Sequence, residues 1–262
     1  MGHIRYGRLP KTTHFQKVMD MLCNDQASIS EISLQTLKAA EKAFDICGDD
    51  PSLYYSYWLL TQITWNAKSK EGFDGFLNRI GISSKNTNSA IKLISLLSEI
   101  ALKESKKLGV TTVFGDMAQM AMREVLAERL LYKTQNLFGS TTEDIRLSLK
   151  ELSTKKQFAY VSKRFFGNIL SRLLKYYINK DASNHIGPTQ RFENIDSIQT
   201  FETAIDSFSF QSAQIVEEFA GGWYSKRNFQ GEISLVDTKK FVNVALAKLH
   251  KDLVLEVQDI VR

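Results

Sequence analysis

The most chemically distinctive stretch of this sequence is cationic. Residues 155–180 hold Lys155, Lys156, Lys163, Arg164, Arg172, Lys175 and Lys180 and no acid. Wound as a helix, Lys156, Lys163, Arg164, Gly167, Asn168, Ser171 and Lys175 share one side. Phe158, Val161, Phe165, Ile169, Leu173 and Tyr176 form one edge of the opposite side, and Phe166, Leu170 and Tyr177 form the other. From Lys156 to Lys175 the cationic face would span roughly 28 Å. Such a rod can bind phosphates or carboxylates. Two duller alternatives stand beside that reading: a solvated face, or one neutralised by acids from other helices. Attachment to a membrane surface is disfavoured, because the apolar side is needed for the core.

A second mixed stretch is 220-AGGWYSKRNFQG-231. Gly221-Gly222 reads as a helix stop, and Trp223, Tyr224 and Phe229 alternate with Lys226, Arg227 and Asn228 in the loop that would follow. Aromatic faces can stack on bases while cations hold phosphates. The alternative is a cap whose aromatics plug the end of a bundle. If helix 197–220 ran antiparallel to 155–181, this loop would lie beside Lys155, Lys156, Lys163 and Arg164, with Lys239 and Lys240 close by. Glu217, Glu218, Glu232 and Asp237 would offset part of that charge.

Two further segments invite a functional reading. Residues 73–97 resemble helix, glycine turn, helix, with Gly81 at the turn and Lys85, Asn86, Asn88 and Ser89 opening the second helix, where a DNA reader would present them. Thr87 stands where that pattern wants a buried aliphatic residue, so an ordinary helical hairpin is preferred. The loop 183-SNHIGPTQRFEN-194 gathers Asn184, His185, Gln190, Arg191 and Glu193 around Gly187-Pro188. A histidine base beside an arginine anion clamp would suit a hydrolase or transferase. A self-satisfied connector is preferred there.

Other reactive constellations are missing. The 4 histidines, His3, His14, His185 and His250, have no metal-ligand spacing. Phosphate-cradling GxxxxGK[ST] and GxGxxG motifs and the nucleophile elbow GxSxG do not occur. Gly48-Asp49-Asp50 reads as a helix cap rather than a carboxylate pair for a metal. No cofactor and no metal is expected.

The elements that carry these residues are helical almost throughout. Ile32, Leu37, Ala40 and Phe44 recur on one helical face, as do Phe201, Ile205, Phe208, Ile215 and Phe219, and Phe241, Ala245, Leu249 and Leu253. The spacing predicts helices over 11–24, 29–47, 51–68, 71–80, 85–108, 112–138, 141–153, 155–181, 197–220 and 237–260. Capping-box spacing occurs at Ser28/Glu31 and Ser140/Glu143. Asp50-Pro51 reads as an N-cap followed by proline at the first helical position. Gly48, Gly81, Gly109 and Gly139 follow periodic segments, as left-handed caps do. The helix at 51–68 is apolar and aromatic nearly all round, which places it at the core centre. The expected fold is all-α, an irregular bundle of about nine or ten helices. It is read as a single domain over 1–262, with a possible subdivision into 1–139 and 140–262.

Composition sets outer limits. The 262 residues carry 34 Lys+Arg against 29 Asp+Glu and are 43% hydrophobic, which excludes wholesale disorder. Residues 1–19 add Arg5, Arg8, Lys11 and Lys17 without an acid. Cys23 and Cys47 sit in helix-like patterns, which suits a reducing compartment better than a disulfide scaffold. The start MGHIRYGRLP lacks an apolar leader, and Tyr6 breaks the myristoylation pattern. A cytoplasmic protein with no membrane span is expected.

The resulting expectation is a non-catalytic helical binding or accessory subunit of a multi-protein complex. Lys156, Lys163, Arg164, Lys175, Trp223, Tyr224, Lys226 and Arg227 would contact nucleic acid or an acidic protein surface. A scaffold that binds only protein, and an enzyme with a site near His185 and Arg191, are the alternatives.

Overall fold

A computed structural model describes residues 17, 18, 20, 21, 27–39, 50–83, 87–107, 112–133, 141–182, 185–188, 190–231 and 233–260. The expected caps at Gly48, Gly109 and Gly139, the two cysteines, His3, His14, and the cations Arg5, Arg8 and Lys11 lie outside the described residues. So does most of the helix expected over 11–24.

Among the described residues the chain forms ten helices and no strand. They are α1 (Ile29–Ala39), α2 (Pro51–Asn66), α3 (Lys70–Arg79), α4 (Ala90–Lys107), α5 (Val113–Lys133), α6 (Thr142–Glu151), α7 (Lys155–Ala182), α8 (Ile195–Ser212), α9 (Gln214–Gln230) and α10 (Leu235–Ile260). None of the described helices is long and apolar enough to cross a membrane.

Local sequence accounts for most of the helix starts. Asp50 Oδ1 accepts the backbone N–H groups of Ser52 at 2.8 Å and Leu53 at 3.2 Å, and Pro51 takes the position where no donor is needed. Ser28 and Glu31 form the expected reciprocal pair, with bonds of 2.8 and 3.2 Å. At α6 the box is shifted by one residue from expectation: Thr141 pairs with Asp144, which leaves Glu143 to bind Arg146. Gly81 has φ +81°, the left-handed conformation expected of a helix stop.

The core sits around α2, against which α3, α4, α5, α6 and α10 pack. Tyr57 is fully buried among Phe165, Phe166 and Phe241, whose ring centres lie 5.1–5.3 Å away. Its hydroxyl shares a 2.7 Å hydrogen bond with Ser162 of α7. The longest described helix, α7, packs against α1, α5, α8 and α9, and the buried apolar cluster runs from Val18 to Leu249.

The last third of the chain departs from expectation. Instead of one helix over 197–220 there are two, and the second continues through Gly221-Gly222 to Gln230. The break falls at the fully buried Ala213, just beyond the weakly helical stretch 207-SFSFQS-212. There the chain bends so that α8 and α9 both follow α7. Asn179 bonds Glu202, Lys175 pairs with Asp206, Lys163 pairs with Glu217, and Gly221 sits on Lys155, an antiparallel course along the whole length. Two adjacent glycines fail to stop α9 because Val216, Ala220 and Tyr224 continue one buried stripe, so packing overrides propensity. The stop comes at Gly231, with φ +79°.

Candidate binding surfaces

The cationic side of α7 occupies a seam between α5 on one flank and α8–α9 on the other, and both flanks supply acids. Arg164 Nε donates to Glu128 Oε2 at 2.9 Å, and Arg172 pairs with Glu124. Lys175 Nζ lies 2.7 Å from Asp206, which also accepts from the Ser171 hydroxyl. Lys163 is 9% exposed, pairs with Glu217 at 3.2 Å, donates to Gln214 and stands 4.3 Å from the centre of the Phe210 ring. Lys156, nearer the start of α7, is exposed. The side that carries no acid of its own is therefore supplied with carboxylates from neighbouring helices.

The expected loop at 221–230 is corrected to helix, which changes what its aromatics do. Tyr224 is 1% exposed and stacks on Phe158 with ring centres 3.9 Å apart. Trp223 is half-buried, 4.4 Å from the Phe241 ring. Arg227 pairs with Asp237 at 2.8 Å, while Lys226 is exposed. Tyr224 thus faces the core, and Trp223 packs against it while staying half-buried. One element of the expectation survives the correction: antiparallel packing does bring α9 beside Lys155.

The other two segments are engaged in contacts with the rest of the fold. Described helix ends at Arg79 in α3 and resumes at Ala90 in α4, later than the start expected at 85. Thr87 is buried and bonds Thr142 at 3.3 Å, and Lys85 and Asn86 lie outside the described residues. In the 183–194 connector, Arg191 donates to the carbonyls of Met21 at 3.3 Å and Ala27 at 2.7 Å and covers the Phe201 ring. His185 is buried, and its carbonyl accepts from Phe192 N at 3.0 Å. Asn184 lies outside the described residues. Arg191 thus clamps backbone carbonyls of the segment before α1, as a fastener does. No group of His, Cys, Asp and Glu among the described residues could hold a metal ion.

One well-formed concavity is a feature that sequence reasoning missed. A groove of about 1020 Å³ opens between α2, α3, α4 and the start of α10. Tyr55, Trp58 and Trp65 of α2 and Phe76 of α3 line it, with Trp58 and Phe76 edge to face at 6.1 Å. Leu96, Ile100, Lys103 and Lys107 of α4 form the facing wall, and Arg79 and Ile80 close the side of α3. Gln62 Nε2 donates to Ile233 O at 2.7 Å and fixes the α9–α10 connector at the edge. Burial, together with the Glu104 carboxylate, pushes the Tyr55 phenol up to about 12. Glu104 is itself paired with Lys107. The lining holds no histidine or cysteine among the described residues. On the α2 side its polar lining residues are Gln62 and Asn66. Tyr54, Tyr55, Trp58, Trp65 and Asn66 are half-buried, so α2 is not core all round.

The chain matches no protein family model, no curated protein and no solved structure. Any functional reading therefore rests on the physical chemistry of these surfaces.

Proposed function

We propose that this chain is a non-catalytic helical accessory subunit, working in the cytoplasm within a multi-protein complex, that docks an acidic surface of another protein. The observation that carries this reading is the groove: an aromatic concavity with a lysine-bearing wall and no histidine or cysteine among its described lining residues. Apolar concavities with a few polar groups at the edge are where partners and ligands bind. Binding of protein is favoured over nucleic acid for two reasons. Lys163, Arg164, Arg172 and Lys175 already face carboxylates. Tyr224 is too deep to stack on a base. Of the cations proposed for contact, Lys156 and Lys226 are exposed.

The test is affinity capture from native lysate, with and without nuclease, beside direct titration of labelled duplex DNA and single-stranded RNA. The expected result is a co-purifying protein that survives nuclease, and oligonucleotide binding no stronger than non-specific. Capture abolished by nuclease would overturn the reading, as would oligonucleotide binding that weakens steeply with salt through counterion release.

A further inference from the structure

The walls of the groove have the form of a seat for one more helix. On α2, Tyr55, Trp58, Gln62 and Trp65 recur every three or four residues; on α4, Leu96, Ile100, Lys103 and Lys107 do the same. Each stripe covers about 16 Å of helix, or three turns. Side-chain ridges at that period on two facing helices accept the ridges of a third helix. An extended peptide has no such match, because the described residues offer no strand edge to extend.

The charge around the seat is uneven. Arg79, Lys103 and Lys107 line the α3–α4 side, against Glu99 and Glu104, and Lys106 lines an adjoining hollow that shares Glu99, Lys103 and Lys107. Since Glu104 is engaged with Lys107, the balance left for a ligand is positive. Near its α10 end in sequence, Phe229 is 94% exposed and Val236 62%. A concavity with apolar walls and charge at its border is a usual form of docking site.

We propose that this groove takes an amphipathic helical segment of a partner protein, about three turns long, with a carboxylate-rich end. Its apolar face enters between α2 and α4, and its acidic end meets Arg79, Lys103 and Lys106. This inference rests on the reading above that the chain docks an acidic protein.

The experiment is selection of a displayed library of random peptides, each about four turns long if helical, on the intact chain. Synthetic copies of the enriched peptides are then titrated by tryptophan fluorescence. Enriched sequences should carry apolar residues at positions i, i+3 or i+4, and i+7, with Asp or Glu gathered at one end. The exposed double variant K103E/K106E, with an unchanged helical spectrum, should bind them at least about tenfold more weakly. Exchanging the peptide carboxylates for lysines should reproduce that loss on the unaltered chain and restore binding to the variant. Enriched peptides without helical spacing, or affinities indifferent to both exchanges, overturn the inference. So does sedimentation showing that the peptide competes with self-association, because the occupant would then be a second copy. If no peptide is enriched while nuclease-resistant capture persists, the groove inference fails and the docking reading stands. If capture is nuclease-sensitive, the docking reading itself fails.

Discussion

A Cβ placed on Gly221 would lie 2.6 Å from the backbone oxygen of Lys155, so α9 approaches α7 more closely than any side chain permits. The obstacle is main chain and cannot swing aside. Gly221→Ala is expected to destabilise the fold by about 1–3 kcal/mol, as overpacking does. Its neighbour should behave in the opposite way. Nothing lies within 4 Å of a Cβ on Gly222, and that position is exposed on a helix. Gly222→Ala should therefore stabilise by up to about 1 kcal/mol through helix propensity alone. Urea unfolding of both variants gives the signs. Equal effects would mean that the two helices are not in this contact.

Lys163 supplies the second prediction. Its ammonium is nearly out of solvent, held by Glu217, Gln214 and the face of Phe210. Removing a partner from a buried charge costs more than removing the charge itself. Glu217→Gln is expected to cost about 1–3 kcal/mol. Lys163→Met keeps the stem packed and should cost less. The order of the two denaturation midpoints decides the matter, and Lys163→Met as the more damaging change would contradict it.

These two sites also show where sequence reasoning works and where it stops. Helices were legible because their signals are local: Asp50-Pro51, Ser28/Glu31 and the periodic apolar residues all act within a few positions. The cationic stripe was legible as composition but not as environment. Glu124, Glu128, Asp206 and Glu217 are remote in the chain and reach α7 only through packing. Gly221-Gly222 looks like a stop for the same reason, since the Lys155 carbonyl that requires a glycine there belongs to another helix. The groove stayed hidden because Tyr55, Trp58 and Trp65 are the residue types that also fill cores.

Arg146 ties α6 to the end of α2. It donates to the Ala67 carbonyl at 2.6 Å and grips both oxygens of Glu143 at 2.8 and 2.5 Å. Arg146→Lys loses the fork geometry, and Arg146→Met also leaves the Ala67 carbonyl without this donor. The methionine variant should lose about 1–3 kcal/mol and the lysine variant less. The hydrogen bonds from Arg146 hold the Glu143 carboxyl below its usual range. A depressed carboxylate contributes stability above its unfolded pKa and loses it as pH falls through the folded value. Acid unfolding of the wild type should therefore include a Glu143 contribution that Glu143→Gln removes, measured as a flatter dependence of the midpoint on pH in the acid range.

At the opposite extreme of pH, the tyrosines report on the core and the groove together. The chain has 9. Burial raises the phenols of Tyr57 and Tyr224 far above their ordinary value of 10.0 and that of Tyr55 to about 12. A phenol whose folded pKa is raised binds its proton more tightly in the native state. Its contribution is complete below pH 10 and is lost as pH rises through the folded value, because the unfolded chain releases the proton first. Absorbance at alkaline pH should rise in two phases: an early one from accessible tyrosines and a late one coinciding with loss of helical signal. Tyr55→Phe has no proton to lose at the groove. It should reduce the late phase and make stability fall less steeply between pH 10 and about 12. A single phase near pH 10 with the helical signal intact would mean that these rings are accessible to solvent, and that neither the core around Tyr57 nor the groove wall at Tyr55 is closed as described.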